Sequence, residues 1–334
     1  MSLRFFLGAA GAGKTRACLD EICDELVKDP LSGKPLYFLV PEQATFQMER
    51  ALLSHRPDVS AAARARVVSF KRLAALALED AGWGGRPLLG EMGKLLALQA
   101  VVSRRRGELR LFGPISRMDG FLEQLSAAIS ELRAYRHRPE GLAAVAELLK
   151  DEGPVADKLH DLALLYKDYD AFVARQFHDP ETTLDLASDV LAASSLVKGA
   201  EVWVDGFAGF TPQEYGVLEA LFTACRRVTV ALCLDPFELG GDMDAWTEGG
   251  PGDHFHPTRE TLVALRDRAR SLGVPIEPPR IFGGGIPPRF RGSPVLAELE
   301  RVVARGWRAR RSRKRREAGA PVRQAAGAEA TAGA

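Results

Sequence analysis

Cysteine is scarce in this chain, and its spacing suits neither metal nor disulfide chemistry. Cys18, Cys23, Cys225 and Cys233 make up the whole set. They contain no CxxC pair and have no secretory context, so no zinc site or disulfide framework is expected and the thiols read as buried or half-buried. Long apolar runs are missing too, since nothing approaches the roughly 18 residues that would span a bilayer. Only Arg4 precedes a short apolar stretch that passes straight into glycine-rich sequence, which leaves no room for a signal peptide and its cleavage site. A cytoplasmic protein without membrane contact is the expectation. Serine, histidine and cysteine occur without the spacing of a nucleophile and its base. His254 and His256 have only Asp253 nearby, which reads as a surface loop rather than a metal centre.

A strong charge of either sign is also absent. The overall balance is +1, but it is uneven. Residues 301–334 hold ten Lys/Arg against two Asp/Glu, a net +8, which leaves 35 basic and 42 acidic side chains, a net −7, on residues 1–300. A mildly acidic body does not attract nucleic acid over its whole surface, so any DNA contact has to be local.

What remains is the composition of a globular protein, 46% hydrophobic and 27% charged over 334 residues, long enough for about two lobes. Leu3–Leu7, Leu36–Val40 and Arg66–Phe70 read as short apolar strands, each followed by a helical pattern, over Lys14–Val27, Gln43–His55 and Lys71–Ala81. Strand alternating with helix at this spacing predicts a parallel sheet. Residues 88–197 then turn almost wholly helical in period, with candidates at Glu91–Arg105, Ser116–Arg136, Pro139–Lys150, Val155–Gln176 and Thr182–Ser195. Leu122, Leu125, Ile129 and Leu132 recur there at the spacing of a core stripe. Strand character returns at Glu201–Asp205 and Arg227–Leu234, with a helix over Gln213–Ala224 between them and another over Pro257–Leu272. Pro275–Pro294, with six prolines and four glycines, reads as irregular. The expected organisation is an α/β lobe in two parts, 1–87 and 198–300, around an all-α insertion, 88–197, followed by a basic Ala/Gly-rich disordered tail, 301–334.

The strongest local signal is GAAGAGKT, Gly8 to Thr15, which fits GxxxxGK[ST]. Such a loop curls its backbone N–H groups around a phosphate, which only glycine permits at the tight positions. The lysine then reaches the outer phosphates, the hydroxyl binds Mg²⁺, and the following helix presents its positive end. The match lies between a predicted strand and a predicted helix, as that chemistry requires. Gly8, Ala9, Gly11, Ala12, Gly13, Lys14 and Thr15 are therefore the candidate ATP site. Asp205 ends the strand Val-Trp-Val and is the candidate to hold Mg²⁺ together with Thr15; a plain Asp-Gly turn is the competing reading. A hydrolytic motor usually carries a second carboxylate immediately after this one, and here the next residue is Gly206. Glu214 is the nearest acidic residue downstream and is expected on a helix surface. Nucleotide binding is thus better supported than rapid hydrolysis.

Four stretches, MSLRFFLGAAGAGKT, LVPEQATFQMER, VDGFAGFTPQEYGVLEAL and HFHPTRETLVALRDRA, together resemble the N-terminal part of AddB, one of the two proteins of the AddAB helicase-nuclease and a relative of the UvrD-like superfamily 1 helicases. The resemblance runs from residue 1 to about 300. It implies a P-loop NTPase lobe of UvrD-like 1A type, an AddA-like motor as partner, and work on DNA ends in double-strand break repair and homologous recombination. It also implies a DNA-touching segment at Pro41–Arg50, where Gln43 and Thr45 suit phosphate or base edges and Phe46 offers a stacking face, with core packing of Phe46 as the alternative. Ser69 stands in a strand-to-helix element of similar type, though Lys71 takes the place where histidine is common. The family's C-terminal nuclease and iron–sulfur cluster are not expected here, because neither a nuclease constellation nor grouped cysteines are present. The abrupt loss of pattern past Glu300 reads as a truncated or frameshifted product, with a basic DNA-binding arm as the functional alternative. A stand-alone nucleotide-binding regulator or interaction module without DNA is the competing class.

Overall fold

The structure is a computed structural model that describes residues 1–58, 63–82, 89–176, 183–235, 239, 243–249, 254–283 and 286–299. The expectations for Asp253 and for the tail at 301–334 fall outside these residues. The chain divides into two compact units. The first comprises Met1–Ala9 and Lys14–Phe282, and the second Ala10–Gly13 and Gly283–Ala334.

In the first unit the described residues form one six-stranded sheet. Its strands are β1 (Leu3–Gly8), β2 (Leu36–Leu39), β3 (Ala65–Val68), β4 (Glu201–Val204), β5 (Arg227–Cys233) and β6 (Arg280–Phe282). Their spatial order is β3-β2-β4-β5-β1-β6, and every pairing is parallel. A parallel sheet needs both faces covered, and period-two side chains divide the strands accordingly. Leu3, Phe5 and Leu7 of β1, Tyr37 and Leu39 of β2, Val202 and Val204 of β4, and Val228, Val230 and Leu232 of β5 enter one core. Phe6, Leu36, Phe38, Trp203 and Ala231 enter the opposite one. The first face is covered by α3 (Phe70–Asp80), α9 (Thr183–Leu191), α10 (Pro212–Ala224) and α11 (His256–Ser271). The second is covered by α1 (Lys14–Lys28) and, through Leu52, by α2 (Thr45–His55).

The helical stretch builds its own core. Leu98, Val101 and Val102 of α4 (Glu91–Arg105) meet Leu125 and Ile129 of α6 (Phe121–Ala134) and Leu165, Tyr166 and Tyr169 of α8 (Pro154–Gln176). Helix α7 (Pro139–Leu148) lies along α8. The helix expected over Ser116–Arg136 is α6 with a later start, because Gly120 with φ +80° stands at its N-cap, and a separate short helix, α5 (Phe112–Ile115), precedes it. Asp161 is fully buried on α8 and accepts N–H bonds from Arg110 (2.9 Å), Leu111 (2.8 Å) and Phe112 (2.8 Å), which tie α5 to α8. Helix α9 behaves differently from this group, since its Ala187 and Leu191 pack in the sheet core. Strand β6 is a further departure: it lies inside the proline-rich segment expected to be irregular, and it pairs with β1 through Phe6, Leu7 and Gly8.

Candidate functional site

Gly8, the last residue of β1, opens the glycine loop. A Cβ there would meet the Phe282 carbonyl oxygen at 2.5 Å, so β6 approaches closely enough to require glycine. Gly11 (φ +75°) and Gly13 (φ +104°) lie in the left-handed region that glycine occupies without penalty. The chain then enters α1 at Lys14, whose side chain is 8% exposed. Its ammonium donates to the Gly8 carbonyl at 2.7 Å and the Ala9 carbonyl at 2.9 Å, spanning the mouth of the turn. Burial lowers the Lys14 pKa, and the nearby Cys233, Asp205 and Cys18 offset part of that effect. Thr15 follows at the positive end of α1, where an anion is favoured.

The Thr15 hydroxyl donates to Asp205 Oδ2 at 2.5 Å across 190 positions of sequence. Asp205 stands just past the C-terminal end of β4, is 8% exposed, and is fixed by its own N–H bond to the Leu39 carbonyl (3.0 Å). The hydroxyl and carboxylate expected to share a magnesium ion are thus brought into direct contact by separate elements. The loop's need for glycine and the Thr15–Asp205 pair both fit a Mg²⁺-nucleotide. In the second unit, Ala10–Gly13 is joined by the turn Pro288–Phe290, with the Arg289 N–H donating to the Gly11 carbonyl at 3.4 Å.

Water activation has no comparable group. Gly206, directly after Asp205, has φ +88°, and a Cβ there would lie 3.1 Å from Pro41 Cδ. Backbone geometry therefore disfavours a carboxylate at this position. Glu214 lies on α10 as expected, half-buried as its third residue, where its Oε2 accepts from Thr211 N (2.8 Å) while Thr211 Oγ1 accepts from Glu214 N (3.3 Å). This reciprocal cap occupies the carboxylate.

The candidate DNA residues sort by accessibility. Gln43 is exposed in the turn Glu42–Ala44. The Thr45 hydroxyl is tied to the Glu42 carbonyl (2.8 Å). Phe46 is 76% exposed on α2, which removes core packing as its explanation. Ser69 is 3% exposed and caps α3 by accepting from Arg72 N, so its side chain already has a structural task. An aromatic group escaped sequence reasoning. Phe70 meets Phe207 (5.4 Å between centroids) and Phe210 (5.9 Å), and Phe210 meets Tyr215 (5.6 Å). The available signal was two phenylalanines in the Gly-rich turn GFAGF directly after the strand carboxylate. That turn lies against Pro41 through Gly206, so the segment before α2 and the aromatic turn share the C-terminal edge of the sheet, where ligands of parallel sheets bind. Of the histidines set aside, His256 begins α11 and bonds the Glu248 carbonyl (3.0 Å). Among the described residues no His/Cys/Asp/Glu group could hold a metal ion by itself, and no helix is long and apolar enough to cross a membrane.

Comparison with known proteins places these features in a family. A family model described as "ADDB, N-terminal" matches residues 5–300. The chain is 47% identical over 308 residues to the B subunit of the ATP-dependent helicase/deoxyribonuclease of Desulforudis audaxviator, covering 91% of this chain and 26% of that protein. It is 45% identical to the protein of the same name from Pelotomaculum thermopropionicum, covering 90% of this chain and 25% of the relative. The match to the Moorella thermoacetica protein of that name is also 45%, over 90% of this chain and 26% of the relative. The chain therefore spans about a quarter of the length of these relatives.

Proposed function

The chain belongs to the AddB N-terminal family, and on that premise we propose that it is the nucleotide- and DNA-binding front portion of an AddB-type helicase/deoxyribonuclease protein. In this reading it is a P-loop NTPase lobe of UvrD-like type carrying an inserted helical subdomain. Its work is double-strand break repair and homologous recombination, in company with an AddA-like motor protein. Helicase and deoxyribonuclease activities appear in the names of relatives of which this chain matches about a quarter, so they are proposed for the complete assembly.

The observation that carries the reading is the Thr15–Asp205 contact at 2.5 Å, which joins the residue after the loop lysine to the end of a different strand. Gly8, Ala9 and Lys14 would meet the phosphates of ATP, with Lys14 exchanging its two carbonyl partners for phosphate oxygens. Thr15 and Asp205 would hold Mg²⁺, whose charge neutralises the triphosphate. With Gly206 following Asp205 and Glu214 engaged in a cap, the chain binds ATP with weak or partner-dependent hydrolysis. The exposed Phe46 and the half-buried Phe207 and Phe210 offer stacking faces for the bases of single-stranded DNA.

Titration with a fluorescent ATP analogue, with and without Mg²⁺, tests this. The wild-type chain should bind and tighten with Mg²⁺. Lys14→Ala, which removes a charged donor from the phosphates, should weaken binding about 10- to 100-fold with an unchanged circular dichroism spectrum. A wild-type chain that binds no nucleotide, or a Lys14→Ala variant that binds equally well, defeats the reading.

A further inference from the structure

One carboxylate on α1 gathers donors from three strands of the sheet. Glu21 is half-buried, and its Oε2 accepts from Arg4 Nη2 of β1 at 2.5 Å and from Trp203 Nε1 of β4 at 2.9 Å. Its Oε1 takes only a longer bond, from Arg280 Nη1 of β6 at 3.4 Å. The Arg4 guanidinium also donates to Thr229 Oγ1 of β5 at 3.0 Å and lies over the Phe6 ring at 4.6 Å, so its own place is fixed. The bond from Trp203 is the one that bears on the site. Trp203 is fully buried, and Asp205 stands two residues further on, on the same side of the sheet by the strand's period of two. Glu21 stands six residues after Thr15, about 9 Å along the helix. Helix α1 therefore meets the end of β4 at two points, Thr15 on Asp205 at 2.5 Å and Glu21 on Trp203. A single point would leave the helix free to turn and slide, whereas two fix where its first turn stands.

We propose that Glu21 is a positioning residue for the Thr15–Asp205 pair: by holding Trp203 it sets where the α1 hydroxyl stands relative to the β4 carboxylate, and hence how well the two share a divalent cation. The inference rests on the reading of that pair as the Mg²⁺ site of a bound nucleotide. Groups that orient metal ligands without touching the metal commonly control its affinity by about 10- to 100-fold. For this task the hydrogen-bonding oxygen of Glu21 matters more than its charge. An amide oxygen in place of Oε2 accepts from both Arg4 and Trp203 and gives up only the 3.4 Å bond from Arg280.

The test is the ATP-analogue titration on the full chain, with and without Mg²⁺, for wild type, Glu21→Ala, Glu21→Gln and Trp203→Phe. Asp161→Asn, weakened in the helical core instead, is the reference for a general loss of stability. Lys14 acts without the metal, so Glu21→Ala should keep its Mg²⁺-free affinity and bind about 10- to 100-fold more weakly than wild type when Mg²⁺ is present. Trp203→Phe, which keeps a ring and loses the Nε1–H donor, should do the same, and it replaces Glu21→Ala in the comparison if that variant does not fold. Glu21→Gln and Asp161→Asn should respond to Mg²⁺ like wild type. In the nucleotide-free chain the Trp203 indole N–H, identified by NMR through its loss in Trp203→Phe, should exchange with solvent faster in Glu21→Ala than in Glu21→Gln. The inference is overturned, while the nucleotide reading stands, if Glu21→Ala tightens with Mg²⁺ as wild type does or loses affinity equally with and without the metal. It is overturned too if Glu21→Gln or Asp161→Asn is as impaired as Glu21→Ala, or if indole exchange is equal in the two Glu21 variants. If wild type binds no nucleotide, or binds it without a response to Mg²⁺, the reading of the pair as a metal site fails and takes the inference with it.

Discussion

At the scale of single residues, Lys14 is where environment and chemistry meet. Its side chain is buried, its donors are shared between two loop carbonyls, and burial holds its pKa below the ordinary lysine range. The proposed triphosphate binding would use the charged form. Affinity should therefore be level through neutrality and fall as pH rises through that lowered value, before an ordinary lysine titrates near about 10.4. The sign for folding is opposite. Between the folded and unfolded values the unfolded chain carries the extra proton, so stability rises with pH across that window. Measuring nucleotide affinity against pH checks the first statement, and Lys14→Arg, which stays protonated, should show no alkaline fall where it still binds. Ser69 shows the limit of reading residues alone. Its place in a family-like segment suggested a ligand contact, but a serine before a helix is also the ordinary cap, and only the bond from Arg72 N identifies that task.

At the scale of elements, the cap on α10 links local chemistry to the site. Thr211 and Glu214 satisfy each other's backbone N–H groups at the point where the GFAGF turn hands over to the helix. Thr211→Ala should cost about 0.5–2 kcal/mol, read as a lower midpoint in chemical denaturation with an unchanged slope. Because the same turn carries Phe207 and Phe210, the variant should also bind single-stranded DNA more weakly than its stability loss alone explains. Most elements were legible beforehand from apolar periodicity. Helix α4 has the bounds its pattern suggested, and β1, β2, β4 and β5 differ from expectation only at their ends. Strand β6 was not legible. Its three residues, Arg-Ile-Phe, lie among prolines, and Arg280 and Ile281 are exposed, so no buried pattern marks it. Its existence depends on backbone pairing with β1, a partner about 275 residues away.

At the scale of the molecule, the uneven charge bears on how the proposed DNA contact would work. With residues 1–300 at −7, the proposed single-stranded DNA contact would draw little on whole-surface attraction, and stacking on Phe46 and the aromatic turn would supply much of its affinity. Each phosphate contact adds about −0.7 to the slope of log affinity against log salt for single strands. A shallow slope is therefore expected. Phe46→Ala should weaken binding by about 1–3 kcal/mol at every salt concentration and leave the slope unchanged. A steep slope that survives Phe46→Ala would instead assign DNA binding to a basic surface. By itself the sequence determined the alternation of strands and helices, the glycine loop and the identity of its lysine and hydroxyl, because these depend on local periodicity and on glycine's freedom at positive φ. Tertiary structure alone decided that Asp205 meets Thr15, that Glu214 is occupied, that Phe46 faces solvent, and that Arg289 lies on Gly11. The physical reason is that each of these depends on side chains from distant positions being carried together by strand pairing and packing, which no local pattern encodes.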